Sequence, residues 1–370
     1  MNPSGKRRSR GSPLPVLAVA LLFLLPACSD LPLGSGNDRD TVGGVDLNAL
    51  FAPPTPAERA EIERDWAARD PRAVEVHEEW DQAAEIGGEG ARVRVVSHLV
   101  DGVQHVGAIL QPAEIPPDPI PVLVYAHGGD QGVSLEEVLL IATSLRLAAG
   151  DYVVVVPSFR SESFRAGPRS WSSEGAASVW DGDVDDALAL LDVALSTIPF
   201  ADGERIGAVG FSRGGTVALL MAIRDPRIAG VVSFFGPTDF FGPFVQEVFR
   251  ASLLGDPPRL PGVPFLIAEI LEPLQTSEMG VDEARLELLT RSPAHFADRI
   301  PAVQVHHGTA DDIVPVEEAL QLALAMEELG RGEPEFQLHL YPGAGHSPLG
   351  MPQSGPLALE FLSTFVERRP

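Results

Sequence analysis

Residues 205–216 read Arg205-Ile206-Gly207-Ala208-Val209-Gly210-Phe211-Ser212-Arg213-Gly214-Gly215-Thr216, and the helix formers that follow continue to Arg224. The apolar run Ile206 to Val209 predicts a strand and Thr216 to Arg224 a helix, so Ser212 falls on the turn between them. Only a very sharp turn lifts a hydroxyl clear of a sheet edge. Gly210 and Gly214 are needed at that turn because side chains there would strike the neighbouring backbone. The first free N–H groups of the helix, that of Arg213 foremost, then point to where an oxyanion would form.

On both sides of this stretch the chain alternates strand and helix. Further strand-like runs lie at 121–125, 152–156, 230–235, 302–306 and 335–341, with helical stretches at 135–149, 183–196, 316–329 and 357–366. Two β-branched runs at 92–100 and 105–110, split by Asp101-Gly102, read as a hairpin ahead of them. The expected fold is therefore α/β: a mostly parallel central sheet with helices on both faces and an N-terminal antiparallel hairpin. Residues 236–300 interrupt the rhythm with a Phe-, Leu- and Pro-rich insert, a length typical of functional lids. Its phenylalanines, with those just before it (Phe234, Phe235, Phe240, Phe241, Phe244 and Phe249), are candidates for an apolar acyl pocket.

A serine hydroxyl needs a base to take its proton. Lys6 is the sole lysine, so the base is a histidine, and Schiff-base, PLP and P-loop chemistry are excluded. On a sheet bearing such a turn the chain order is nucleophile, acid, base. Of nine histidines, His346 alone sits in a Gly-rich loop after the last strand-like run, in Tyr341-Pro342-Gly343-Ala344-Gly345-His346. The orienting acid should follow the run ending at Val305, where Asp311 and Asp312 are adjacent; the one left over would cap the helix ahead. His306 and His307 continue the strand and read as structural, because neighbouring side chains on a strand point to opposite faces. His127-Gly128-Gly129-Asp130, after the strand at 121–125, offers the N–H of Gly129 as second oxyanion donor, with His127 stabilising that loop.

Together the His-Gly-Gly at 127–129, the Gly-Phe-Ser-Arg-Gly-Gly at 210–215, Gly236-Pro237-Thr238-Asp239, the stretch from His307 to Pro315 and Gly345-His346 resemble the α/β-hydrolase domain of prolyl oligopeptidases. Dienelactone-hydrolase-like and acetylxylan-esterase-like proteins are similar, and the likeness runs over residues 90–370. It implies a triad of Ser212, Asp311 and His346, the acid being fourth after His307. It also implies oxyanion amides at Gly129 and Arg213. No sequence is available for the propeller that filters peptides in the oligopeptidases, and serine replaces the cysteine of dienelactone hydrolases.

The formal net charge is −25, and the first 27 residues carry four positive charges and no acid, so removing them leaves −29. Nucleic acid is excluded as a partner on that surface. Residues 1–27 read as a signal peptide: Lys6, Arg7, Arg8 and Arg10, then ten apolar residues from Val16 to Leu25, then Pro26-Ala27. Cys28, the single cysteine, rules out an internal disulfide or a cysteine-cluster metal site. Leu25-Pro26-Ala27-Cys28 resembles a lipobox, which would make Cys28 the lipidated first residue. Residues 28–75 are then expected to be a tether, running to about Pro54, and a short helix beginning near Thr55. Residues 76–370 form the catalytic domain.

The expectation is thus an exported serine hydrolase, lipid-anchored to the cell envelope, that cleaves carboxylic esters without cofactor or metal. Its partners are a small ester or short peptide and, through the lipid, a membrane. Alternatives are a prolyl-oligopeptidase-like peptidase for small peptides, or a non-catalytic surface binding module, whose usual mark, a lost triad member, is missing here. Dehalogenases and epoxide-opening enzymes want aspartate at the turn, where this chain has Ser212.

Overall fold

Alternation of buried β-branched runs with amphipathic helices produces one nine-stranded sheet in the computed structural model, which describes residues 40–367. Its strands are β1 (Val74–Ile86), β2 (Glu89–Val100), β3 (Val103–Pro112), β4 (Ile120–Ala126), β5 (Val153–Ser158), β6 (Ala201–Phe211), β7 (Ile228–Phe234), β8 (Ala302–Gly308) and β9 (Phe336–Tyr341). Spatial order is β9-β8-β7-β6-β4-β5-β3-β2-β1. The first three pair antiparallel and β3 meets β5 antiparallel, whereas every pairing from β5 to β9 is parallel. The expected sheet is present, and its hairpin gains β1, a strand the sequence reading left out. This edge strand is acidic and largely exposed, so it lacks the apolar alternation by which strands are found.

The principal helices are α1 (Pro56–Ala68), α2 (Leu135–Ser144), α3 (Gly182–Thr197), α4 (Arg213–Arg224), α5 (Pro243–Leu253), α6 (Val281–Leu289), α7 (Glu317–Glu328) and α8 (Ser354–Leu362). Thr55 caps α1 in a reciprocal box with Glu58, which is why that helix starts where Pro56 allows. Central helix α4 is buried along its length up to Ile223, and the parallel strands beneath it are buried almost completely. That rigid centre presents the carboxyl ends of β4, β6, β8 and β9 at one rim.

Residues 40–54 correct the tether expectation. They form a small hairpin (Thr41–Val42 with Val45–Asp46) and a helical turn (Leu47–Leu50), packed on the insert. Arg285 of α6 donates to the carbonyls of Ala49, Leu50 and Ala52, Phe51 meets Phe249 edge-on at 5.5 Å, and Arg250 pairs with Asp40. These contacts span about 200 residues of sequence or more, so local composition could not reveal them. Cys28 and the leader lie outside the described residues.

Candidate active site

Ser212 closes β6 and caps α4 with φ 56° and ψ −122°, a backbone conformation L-residues rarely adopt and one that costs about 1–3 kcal/mol. The surrounding backbone holds it there: the Ser212 amide donates to Phe234 O at 2.8 Å, and Gly215 N donates to Ser212 O at 2.8 Å. A β-carbon on Gly210 would stand 1.9 Å from Gly214 O, and one on Gly214 would stand 2.0 Å from Ala126 O. Both glycines are therefore obligatory for the reason the sequence suggested.

On the loop after β9, His346 Nδ1 donates to Asp311 Oδ2 at 2.7 Å, and the Phe235 ring lies 4.3 Å from the imidazole. Asp311 Oδ1 accepts the amides of Ile313 and Val314, each at 3.0 Å, and the carboxylate is shut off from solvent. Burial raises the Asp311 pKa. The adjacent His307 ring and hydrogen bonds from His346 and the backbone outweigh burial and hold it well below the usual carboxylate range. Asp312 is exposed, and α7 begins after Val316 with no side-chain cap, so the capping role expected for Asp312 is not taken up. His307 is structural, with Nε2 donating to Val314 O at 2.8 Å.

The structure brings Ser212 and His346 to the wall of one cavity of about 430 Å³, with Gly128 and Gly129. Among the described residues no hydrogen bond joins hydroxyl to ring. Such contacts commonly tighten only when substrate is bound.

Gly129 has φ +73°, and the Arg213 amide opens α4, so it has no partner within the helix. A cluster that sequence reasoning missed ties the two together. The buried Arg213 guanidinium forks onto Asp183 with two bonds of 2.7 Å, reaches Glu162 at 2.5 Å and donates to Gly129 O at 3.0 Å. Glu162 in turn accepts the Gly132 amide at 3.0 Å. Both ends of the 129–132 loop thus hang on one cation, which also lies over Phe159, 4.9 Å from its centroid. His127 is fully buried and stacked on Phe159 at 4.4 Å. Burial and then the Arg213 charge push it down to about 3, keeping it a neutral prop of the loop, as expected.

A second, narrower cavity of about 40 Å³ opens from the same serine into the insert, walled by Trp180, Phe240, Phe244, Val248 and Leu266. Of the six phenylalanines offered for an acyl pocket, only Phe240 and Phe244 line it. Phe234 stacks on Phe211 at 4.4 Å, Phe235 packs on His346, Phe241 meets His295 and Phe249 meets Phe51. The run was rich enough in aromatics to suggest a pocket, but its folding directs most of them into the core.

Glu318, at the start of α7, braces the segment after β7 by accepting the amides of Thr238 at 2.6 Å and Asp239 at 2.9 Å. Burial pushes its carboxyl up to about 7 against the lowering effect of those amides. The unfolded glutamate titrates near 4.5, so the native state binds the extra proton between about 4.5 and 7. This stabilisation is complete below that window and is lost as pH rises through it. Thermal melts of wild type and Glu318→Gln should show a Tm gap in favour of wild type that shrinks or reverses from pH 5 to pH 8. A gap independent of pH would contradict the assignment.

A sequence profile described as the Alpha/beta hydrolase family matches residues 123–354, more than half of the chain. "Uncharacterized peptidase YuxL" of Bacillus subtilis is 24% identical over 288 residues, covering 72% of this chain and 37% of that protein. "Uncharacterized peptidase YtmA" of the same organism is 25% identical over 176 residues, 46% of this chain and 63% of the relative. The chain thus spans less than two thirds of either. Among solved structures, acetyl xylan esterase 1 from Thermoanaerobacterium sp. superposes with TM-score 0.58 at 19% identity, covering 86% of this chain and 98% of the esterase. A Mycobacterium tuberculosis puromycin-hydrolyzing peptidase gives TM-score 0.53 at 17% identity over 78% and 46%. These likenesses show the fold.

Proposed function

Because the chain belongs to the alpha/beta hydrolase family, we propose that it is a carboxylic-ester hydrolase working through Ser212, His346 and Asp311. The observation that carries this reading is the buried Asp311 carboxylate 2.7 Å from His346 Nδ1, with His346 lining the same cavity as a serine on a strained turn. His346 takes the Ser212 proton as Oγ attacks the acyl carbon, and the amides of Gly129 and Arg213 receive the oxyanion. The proton then passes to the leaving group, and water enters by the same base to free the acid.

The narrow cavity favours short acyl groups, since its space is of the order of a few water molecules. Nitrophenyl esters of increasing acyl length, set beside aminoacyl and prolyl amides, test the reading. Hydrolysis should peak at about two to four acyl carbons and amides should be poor substrates. Faster cleavage of amides, after allowance for intrinsic reactivity, would replace the esterase by a peptidase, the reading favoured by the names of the two Bacillus relatives. Export and anchoring through Cys28 belong to the same proposal, and radiolabelled palmitate incorporation lost in Cys28→Ala checks them.

A further inference from the structure

Ser212, Gly129, Pro261 and Ile313 line both cavities, but His346 lines only the open one. The group that protonates the departing atom must stand beside it. If Ser212 and His346 act as proposed above, the leaving group lies in the open chamber and the acyl group in the closed one. The two chambers differ in chemistry: apart from Ser212 and Arg213 the closed one is lined by apolar residues and glycines, whereas the open one has a carboxylate, Glu137, on a wall that Tyr125, Phe211 and Phe235 share.

Glu137 is held in place from two sides. Its amide donates to Ser134 Oγ at 3.1 Å in the first turn of α2, and its Oε1 accepts the Tyr125 hydroxyl at 2.7 Å. Oε2 accepts no hydrogen bond from a described residue. Burial raises the Glu137 pKa against the lowering effects of the Tyr125 hydroxyl and of the Arg165 charge, whose guanidinium donates to Gln131 O and is not part of the chamber wall. A half-buried carboxylate in a chamber that aromatic rings also line is the setting in which an ammonium group loses little on leaving water. The formal charge of −25 adds attraction for cations at long range.

We propose that the open chamber receives the leaving group and that Glu137, with Tyr125, Phe211 and Phe235, selects esters whose alcohol carries an ammonium charge. In the acylation step Oγ of Ser212 bonds to the acyl carbon and its proton moves to His346. The carbon–oxygen bond to the alcohol then breaks with its electron pair on the departing oxygen. That oxygen takes the proton from His346, and the ammonium alcohol leaves. Water later cleaves the acyl-serine.

The test compares two butyrate esters of one shape, that of 2-(trimethylammonio)ethanol and that of 3,3-dimethylbutanol. In wild type, kcat/KM for the charged ester should exceed that for the neutral one by about fivefold at low salt. The ratio should fall toward one in Glu137→Gln and in wild type at high salt. Tetramethylammonium should competitively inhibit wild-type cleavage of the neutral ester, a measurement that stands even if the variant does not fold. A wild-type ratio near one, an undiminished ratio in a folded Glu137→Gln, or no inhibition by tetramethylammonium would overturn the inference. Failure to hydrolyse either ester would instead sink the esterase reading beneath it.

Discussion

Asp311→Asn should lower kcat/KM on a short nitrophenyl ester by ~10⁴-fold at neutral pH, most of it in kcat. The size follows from which atoms the side chain engages. Oδ1 is already committed to the amides of Ile313 and Val314, so the asparagine must keep its oxygen there and turn its NH₂ toward His346. Facing a donor, Nδ1 becomes an acceptor, and the ring proton moves to Nε2, the atom that should take the Ser212 proton. The fold and the amides proposed for the oxyanion should persist, so substrate binding should change little. Asp312→Asn, on an exposed side chain one residue away, should alter kcat/KM less than about threefold. Steady-state kinetics on the two variants decide the assignment, and equal losses in both would refute it.

Arg213→Met should destabilise the protein by about 3–5 kcal/mol in urea unfolding, because removing the cation leaves Asp183 and Glu162 buried without compensation. A buried ion pair need not add net stability, yet breaking one from a single side is expensive. The clasp is also the only described bond from this cation to the 129–132 loop carbonyls, at Gly129 O, so the folded fraction of the variant should show lowered kcat as one oxyanion donor loses its position. Adding Glu162→Gln and Asp183→Asn to the methionine variant should recover part of the lost stability, the sign of a shared network. A loss under about 1 kcal/mol for Arg213→Met would mean the cluster is not what holds that loop.

What could be read in the chain and what could not divide along physical lines. The turn at Ser212 was legible because three glycines and a serine between strand and helix leave few conformations open, and strands β4, β5 and β7 because they are apolar almost without interruption. Chain order ties His346 and the adjacent Asp311 and Asp312 to the ends of strands, and the family resemblance alone separates the two aspartates. Residues 74–86 were not, since an edge strand facing water carries charge instead of pattern. The Arg213 side chain was read only as the bearer of an amide. Its partners lie 30 and 51 residues away, beyond the reach of local pattern. Pocket walls were the least legible, because aromatic content says that a segment buries rings and not where they face.

The central claim is that Ser212 is an activated nucleophile, and a fluorophosphonate probe tests it most directly. Intact-mass spectrometry should show one phosphonyl adduct on the wild-type chain, peptide mapping should place it on Ser212, and Ser212→Ala should take up none. An adduct that persists in Ser212→Ala, or none on folded wild type, would contradict the account.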